Sequence, residues 1–172
     1  MYPADMLRVV VTALLAFSII ALLLTSALHV ATFFSTHLGG IPRYFGFHFG
    51  VIALWILVVL IYRAKGETIR PNALPQWSRA PLYFLFGYFV FNMIFLFVVL
   101  HGGGAEVVNG SYQLLEHGKL IGYLTENEYY RDITIELRFF SSGWMIAYAA
   151  TAAYLLHLRE VVTPGFREVY LG

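Results

Sequence analysis

The chain has 172 residues, of which 59% are hydrophobic and 12% are charged, and its net charge at pH 7 is +1. Soluble domains carry about 25% charged residues, so this composition indicates an integral membrane protein in contact with the lipid bilayer. No basic run is present, and no nucleic-acid partner is expected. The absence of cysteine excludes disulfides, thiolate metal sites and cysteine nucleophiles.

Four segments are apolar enough to cross a bilayer as helices, which takes about 20 residues each. The sequence therefore predicts an all-α integral membrane protein, a four-helix bundle that forms a single membrane domain over residues 1–172. The first apolar run exceeds the roughly 7–15 residues of a signal-peptide core, which favours a retained anchor. The predicted spans are residues 9–34, 44–62, 81–100 and 143–158.

Loop charges predict the orientation of the spans. The positive-inside rule places the side richer in Lys and Arg in the cytoplasm. That side carries both termini, including a tail over residues 163–172, so both termini are expected to be cytoplasmic. The cytoplasmic basic residues are then Arg8, Arg63, Lys65, Arg70, Arg79, Arg159 and Arg167, and those of the opposite side are Arg43, Lys119, Arg131 and Arg138.

Residues 102–140, which we call the cap, form a polar segment between the third and fourth spans. Asn109-Gly110 is a strong signal for a two-residue hairpin, because a type I′ turn needs positive φ at both central residues. His117-Gly118 is a weaker second turn. The sequence thus predicts a periplasmic or exterior β-meander with strands at residues 106–108, 111–115 and 119–124.

An amphipathic helix is predicted to complete the cap. Thr125 and Glu128 have the spacing of a capping box, in which each side chain accepts a hydrogen bond from the other residue's amide. A bend is expected at Ser141-Ser142-Gly143, between this helix and the fourth span. The apolar face of the helix consists of Tyr129, Ile133, Leu137 and Phe140.

Histidines near the outer ends of the spans raise a haem hypothesis. At about 1.5 Å per residue, His29 and His101 both lie roughly 30 Å above the cytoplasmic ends of their helices, and His48 lies slightly deeper. Convergence of these three could bind haem b through two imidazoles. The simpler interpretation is that they are interfacial histidines. His157 alone lies near the inner end, so a transmembrane pair of haems is not expected.

The third span is unusually aromatic. Aromatic rings pack against quinones, carotenoids and chlorins, and equally against lipid tails and other helices. No Asp, Glu, Lys or Arg lies within a span, which argues against transport by one copy. The candidate contacts with a partner or pigment are Phe84, Tyr88, Phe91, Asn92 and Phe95 in the third span and Tyr112 and Tyr129 in the cap.

Small residues in the fourth span predict close helix packing. Gly143, Ala147 and Thr151 recur at four-residue spacing, which lets helix backbones approach one another. No hydrolase or zinc-protease motif is present, so no catalytic residue and no metal site is assigned, and an enzyme is not expected.

The cap resembles a segment found in small four-span bacterial inner-membrane proteins. The residues that carry the resemblance are Asn109-Gly110, Tyr112 and Leu114, then His117-Gly118-Lys119, then Leu124-Thr125 with Glu128-Tyr129, extending to Arg138-Phe139 and Trp144-Met145. The resemblance covers about 40 residues. It implies a bacterial inner membrane and four spans, and it implies no activity.

Three functional hypotheses follow. The first is a non-catalytic accessory subunit of a larger respiratory or photosynthetic membrane complex, docking through the cap and the aromatic third helix onto other membrane-protein subunits. The second is a small redox protein, linked to b-type haem or quinone, that uses His29 and His101. The third is a homo-oligomeric carrier or channel for small molecules, with Asn92 facing a shared pore.

Overall fold

The computed structural model confirms a mostly helical chain with four helices long and apolar enough to span a membrane, together with a small three-stranded sheet. It describes residues 3–35, 38, 46–64, 66, 74–101 and 103–162. Arg43, Lys65, Arg70, Arg167 and the predicted tail at residues 163–172 lie outside the described residues. The elements are α1 (Pro3–Ala31), α2 (Gly46–Ala64), α3 (Gln76–Leu100), β1 (Gly104–Val108), β2 (Ser111–Glu116), β3 (Lys119–Tyr123) and α4 (Glu126–Val162).

Helix α4 is the centre of the bundle. The other three helices each make their main contacts with α4, and their contacts with one another are minor. Half of the most apolar stretch of α4 is buried, against 6% of the corresponding stretch of α3. The run of alanines and Thr151 explains this position, because small side chains allow neighbouring backbones to come close on several sides. The predicted packing role of the fourth span is therefore filled within the chain.

Two apolar clusters join α1, α2 and α4. The first lies where α1 begins and α2 and α4 end, and includes Val11, Tyr62 and Leu158. The second lies nearer the cap and includes Ala21, Leu54, Leu137, Trp144 and Tyr148.

The predicted bend at Ser141-Ser142-Gly143 is wrong. The amphipathic helix and the fourth span form one continuous helix of 37 residues, α4. The two serines are accommodated because their hydroxyls donate to carbonyls of the preceding turn, Ser141 to Arg138 at 3.1 Å and Ser142 to Phe139 at 2.6 Å. At about 1.5 Å per residue the helix is about 55 Å long, so its first half extends into the cap.

The three-stranded antiparallel sheet of the cap is confirmed, with the order β1-β2-β3. Asn109 and Gly110 have φ values of 50° and 78°, and His117 and Gly118 have φ values of 51° and 78°. Both turns therefore have the positive φ values that a type I′ hairpin requires at its two central residues. A register shift between Leu114 and Leu115 interrupts the β2–β3 ladder.

Hydrogen bonds connect the sheet of the cap to α4 in two places, at the start of the helix and along its side. The Thr125 amide donates to the Glu128 carboxylate at 2.8 Å and the Glu128 amide donates to the Thr125 hydroxyl at 3.3 Å, which confirms the capping box. Farther along α4, the Ala105 amide of β1 donates to Glu136 at 3.3 Å. These bonds tie the sheet to the same helix that organises the spans.

Glycine at position 50 allows α2 to approach α4. The Tyr148 hydroxyl donates to the Phe47 carbonyl at 3.0 Å, and a Cβ placed on Gly50 would lie 2.5 Å from that hydroxyl oxygen. The phenol thus occupies the space that any other residue at position 50 would fill.

We expect Gly50→Ala to lower the free energy of unfolding by about 1–3 kcal/mol, because the added methyl group displaces the Tyr148 phenol. Gly87→Ala is the matched control, since a Cβ at Gly87 meets nothing within 4 Å. Thermal unfolding in detergent would measure both. The double variant Gly50→Ala with Tyr148→Phe should recover much of the loss, and no recovery would contradict the steric explanation.

Candidate functional site

Buried polar side chains from three helices meet around His29, near the end of α1. The imidazole is only 3% exposed. Its Nδ1 lies 2.8 Å from the Ser141 hydroxyl of α4, and its Nε2 lies 2.6 Å from the Tyr88 hydroxyl of α3. Together with Thr32 and Arg138, these residues form what we call the polar junction. It is the candidate site because polar groups within membrane helices are costly unless they are paired.

Helix geometry explains why these residues meet. Arg138 and Ser141 are three residues apart on α4 and so lie on one face of the helix, opposite the last turn of α1. Gly143, two residues farther on, lets α3 come close, since a Cβ there would lie 3.1 Å from the Phe89 ring. The close approach of α3 brings the Tyr88 phenol within reach of the imidazole.

One tautomer of His29 fits the hydroxyl geometry of the polar junction. The Ser141 hydroxyl lies 3.1 Å from the Arg138 carbonyl, to which it can donate while its oxygen accepts from Nδ1 of His29. In that arrangement Nδ1 carries the proton, Nε2 accepts from the Tyr88 hydroxyl, and the imidazole is neutral.

Arg138 caps the end of α1. Its Nη2 donates to the Thr32 carbonyl at 2.8 Å, its Nε donates to the Thr32 hydroxyl at 3.2 Å, and its guanidinium carbon lies 4.0 Å from the centre of the Phe33 ring. A cation at a helix C-terminus satisfies carbonyls that have no partner within the helix and interacts favourably with the helix dipole. Arg138 thereby fixes the end of α1 against α4.

The three histidines of the haem hypothesis do not all converge. Tyr88, which contacts His29, lies 13 residues before His101, or about 20 Å along α3. His29 and His101 were expected at equal depth, and the difference arises because α3 extends past the polar junction while α1 ends at Ala31. His101 is exposed and ends α3 in a left-handed conformation.

His48 lies beside α4 at a similar level to His29. Its ring packs edge-on against Phe140 at 5.2 Å and against Trp144 at 5.0 Å. Both ring nitrogens of His29 are within hydrogen-bond distance of internal partners, so binding an axial iron would require breaking one of these contacts. Within the described part of the chain, no group of three or more His, Asp or Glu residues is placed to hold a metal ion. A haem site therefore stays a prediction for which this arrangement offers no support.

The seven predicted contact residues fall into three groups. Phe84, Phe91 and Phe95 of α3 face outward, with exposed fractions of 74%, 60% and 37%. Tyr88 belongs to the polar junction, and Asn92 is 4% exposed and donates to the Tyr88 carbonyl at 2.9 Å. Asn92 thus lies inside the chain and not on a surface open to a pore.

The remaining two contact residues, Tyr112 and Tyr129, pack on each other with ring centres 4.7 Å apart and join β2 to α4. Partial burial raises the pKa of the Tyr112 phenol, and the charges of Glu126 and Tyr130 raise it further. The ring therefore stays neutral at physiological pH. The contact between Tyr112 and Tyr129 holds the sheet against α4, whereas the sequence predicted that these two residues contact a partner.

The predicted packing residues are used in different ways. Gly143 leaves room for the Phe89 ring of α3, as described above, and Thr151 is 1% exposed and donates to the Ala147 carbonyl at 2.8 Å.

Three residues of the polar junction were not predicted from the sequence as site residues. Thr32 and Ser141 were not assigned to any site, and Arg138 was used only as a basic residue of one loop side. The sequence gives little indication that these residues meet, since only the three-residue spacing of Arg138 and Ser141 predicts a shared helix face.

A shallow apolar groove of about 340 Å³ lies between α1 and α2. Phe17 and Leu24 line one wall, Phe47 and Gly50 line the other, and Tyr148 lies at its base. It does not include a residue of the polar junction.

Comparisons of the chain with protein-family models, with curated proteins and with solved structures find no match.

We expect solid-state ¹⁵N spectra of the protein in bilayers to show His29 as the neutral tautomer with the proton on Nδ1. Tyr88→Phe should leave Nε2 without a donor and lower the free energy of unfolding by about 1–3 kcal/mol. Tyr83→Phe is the matched control, since Tyr83 lies on the same helix and is 71% exposed. A predominant Nε2-protonated form would contradict the hydrogen-bond directions given above.

Proposed function

We propose that the protein is a non-catalytic accessory subunit of a larger respiratory or photosynthetic complex in the bacterial inner membrane. It binds other membrane-protein subunits through the outer face of α3 and through the cap. The observation that carries this proposal is the exposure of α3: its aromatic side chains point away from the chain's own core along most of its length.

The position of α3 supports a protein partner in addition to lipid. Tyr88 lies in the middle of α3 and contacts the last turn of α1, so about half of α3 continues beyond the polar junction toward the cap. Ile94, Phe97 and Val98 in this half are each more than half exposed. Exposed apolar patches mark contacts with a protein or a membrane, and the position of this patch beside the folded cap favours a protein partner.

The cap provides a second surface. Among the described strands, β3 pairs with β2 alone, so its other edge is open. Leu120, Ile121 and Tyr123 on β3 are exposed. An open edge with apolar side chains is suited to pairing with a strand of another chain.

The polar junction fits a structural role. Its side chains are bonded to one another and to backbone carbonyls, and the His29 imidazole is closed to solvent. A general base must reach a substrate proton directly or through one water. In the arrangement described, the imidazole makes its bonds within the chain.

Removing aromatic rings from α3 tests the proposal. We expect the wild-type protein, solubilised gently from its own membranes, to migrate far above 19.5 kDa plus detergent. Phe84→Ala with Phe91→Ala should shift it to the mass of the free chain, because the partner loses two large apolar contacts. Native electrophoresis with detection of a tag on the chain measures both.

Phe17→Ala with Phe49→Ala is the matched control, since these phenylalanines are also more than half exposed but lie on α1 and α2. The control variant should migrate as the wild type does. A wild-type protein that runs at its own mass, or a control variant that dissociates equally, would refute docking through α3.

The proposed orientation places both termini in the cytoplasm and the cap in the periplasm. Because the chain has no cysteine, single substitutions report cleanly on this orientation. In intact cells, an impermeant thiol reagent should label Ser111→Cys in the cap and leave Ala64→Cys at the end of α2 unlabelled until the membrane is opened. The reverse pattern would show the opposite orientation.

A further inference from the structure

Among the residues that the structure describes, Arg138 is a cation without an acidic partner. Arg131, on the same helix, is by contrast paired with Asp132 at 2.9 Å. The bonds of Arg138 go to the neutral carbonyl and hydroxyl of Thr32, and its other neighbour is the Phe33 ring. These contacts use Nε and Nη2, so Nη1 has no acceptor in the described part of the chain.

The depth of this guanidinium can be read along α1. Arg8 lies near the start of that helix, and no charged residue follows it before the helix ends at Ala31. From Arg8 to Thr32 the distance along the axis is about 36 Å, close to the hydrocarbon thickness plus part of one headgroup layer. Counted along α1, the Arg138 guanidinium, bonded to Thr32, is about as far from Arg8 as the headgroup layer on the cap side would be.

The residues around Arg138 are also typical of the interface between lipid and water. Phe33 and Phe34, which follow α1, are exposed, as expected for aromatic side chains at the membrane interface. Arg138 itself is only partly buried, so its outer side is open to the interface. The next charged residue of α4 toward the sheet is Glu136, two residues before Arg138.

We propose that Arg138 binds the phosphate of a lipid in the leaflet on the cap side. The guanidinium offers two parallel N–H donors to phosphate oxygens, a geometry that a phosphodiester matches. The contacts to Thr32 and Phe33 hold the guanidinium in place before the lipid arrives. The bound lipid neutralises the charge and occupies the space beside Phe33 at the end of α1. This inference does not rest on the proposed function.

Native mass spectrometry from phosphatidylglycerol nanodiscs tests the proposal. Arg138→Gln should bind the lipid about tenfold more weakly than the wild type, because charge-assisted hydrogen bonds are lost. The matched control is Arg131→Gln on the same helix, since Arg131 is 55% exposed and already paired with Asp132. The control should retain as many lipids as the wild type. Equal retention by Arg138→Gln and the wild type would overturn the proposal.

Two further arms make the result decisive. Inorganic phosphate added in excess should leave the retained lipid in place, and displacement of the lipid would show that the site takes a free anion instead. If Arg138→Gln does not fold, the same lipid-binding measurement is made on Arg138→Lys, with Arg131→Lys as its control. Lysine keeps the charge but lacks the paired N–H groups, so Arg138→Lys should still bind the lipid several-fold more weakly. Equal binding by the two lysine variants would then overturn the proposal.

Discussion

The close approach of α4 to its three neighbours is the constraint on which the rest of the structure depends. Water does not drive helices together inside a bilayer, so packing and internal hydrogen bonds must hold them. Small side chains on α4 permit this packing, and Gly50 of α2 and Gly143 of α4 lie where a Cβ would be 2.5 Å and 3.1 Å from a side chain of the neighbouring helix. Because the contacts among α1, α2 and α3 are fewer than the contacts that each makes with α4, a loosened α4 would weaken the bundle more than the loss of any other helix contact.

Many of the buried polar groups that the structure describes in this bundle bond to a partner within the chain, whereas Nε1 of Trp144 has no hydrogen-bond partner in the described part of the chain. Ser18 and Thr25 of α1 donate to carbonyls of their own helix, and they need no neighbour. His29 differs, because its partners lie on α3 and α4. The polar junction therefore fixes the axial positions of three helices relative to one another, which apolar packing alone specifies weakly.

Features set by neighbouring residues could be predicted from the sequence. The four spans, the turns at Asn109-Gly110 and His117-Gly118 and the capping box at Thr125 all depend on composition or on contacts within a few residues. The predicted break near Ser141 failed because a serine in a helix can bond to its own preceding turn. The convergence of His29 and His101 failed because depth was counted separately along each helix, whereas the axial offset of α3 is a tertiary property.

That offset also determines where the chain can meet other molecules. Because half of α3 continues past the polar junction, Ile94, Phe97 and Val98 lie on the cap side of the contact between α3 and α1, where α1 has already ended. In the two proposals, the offset separates the exposed apolar face of α3, which binds a protein partner, from the Arg138 guanidinium at the end of α1, which binds a lipid phosphate.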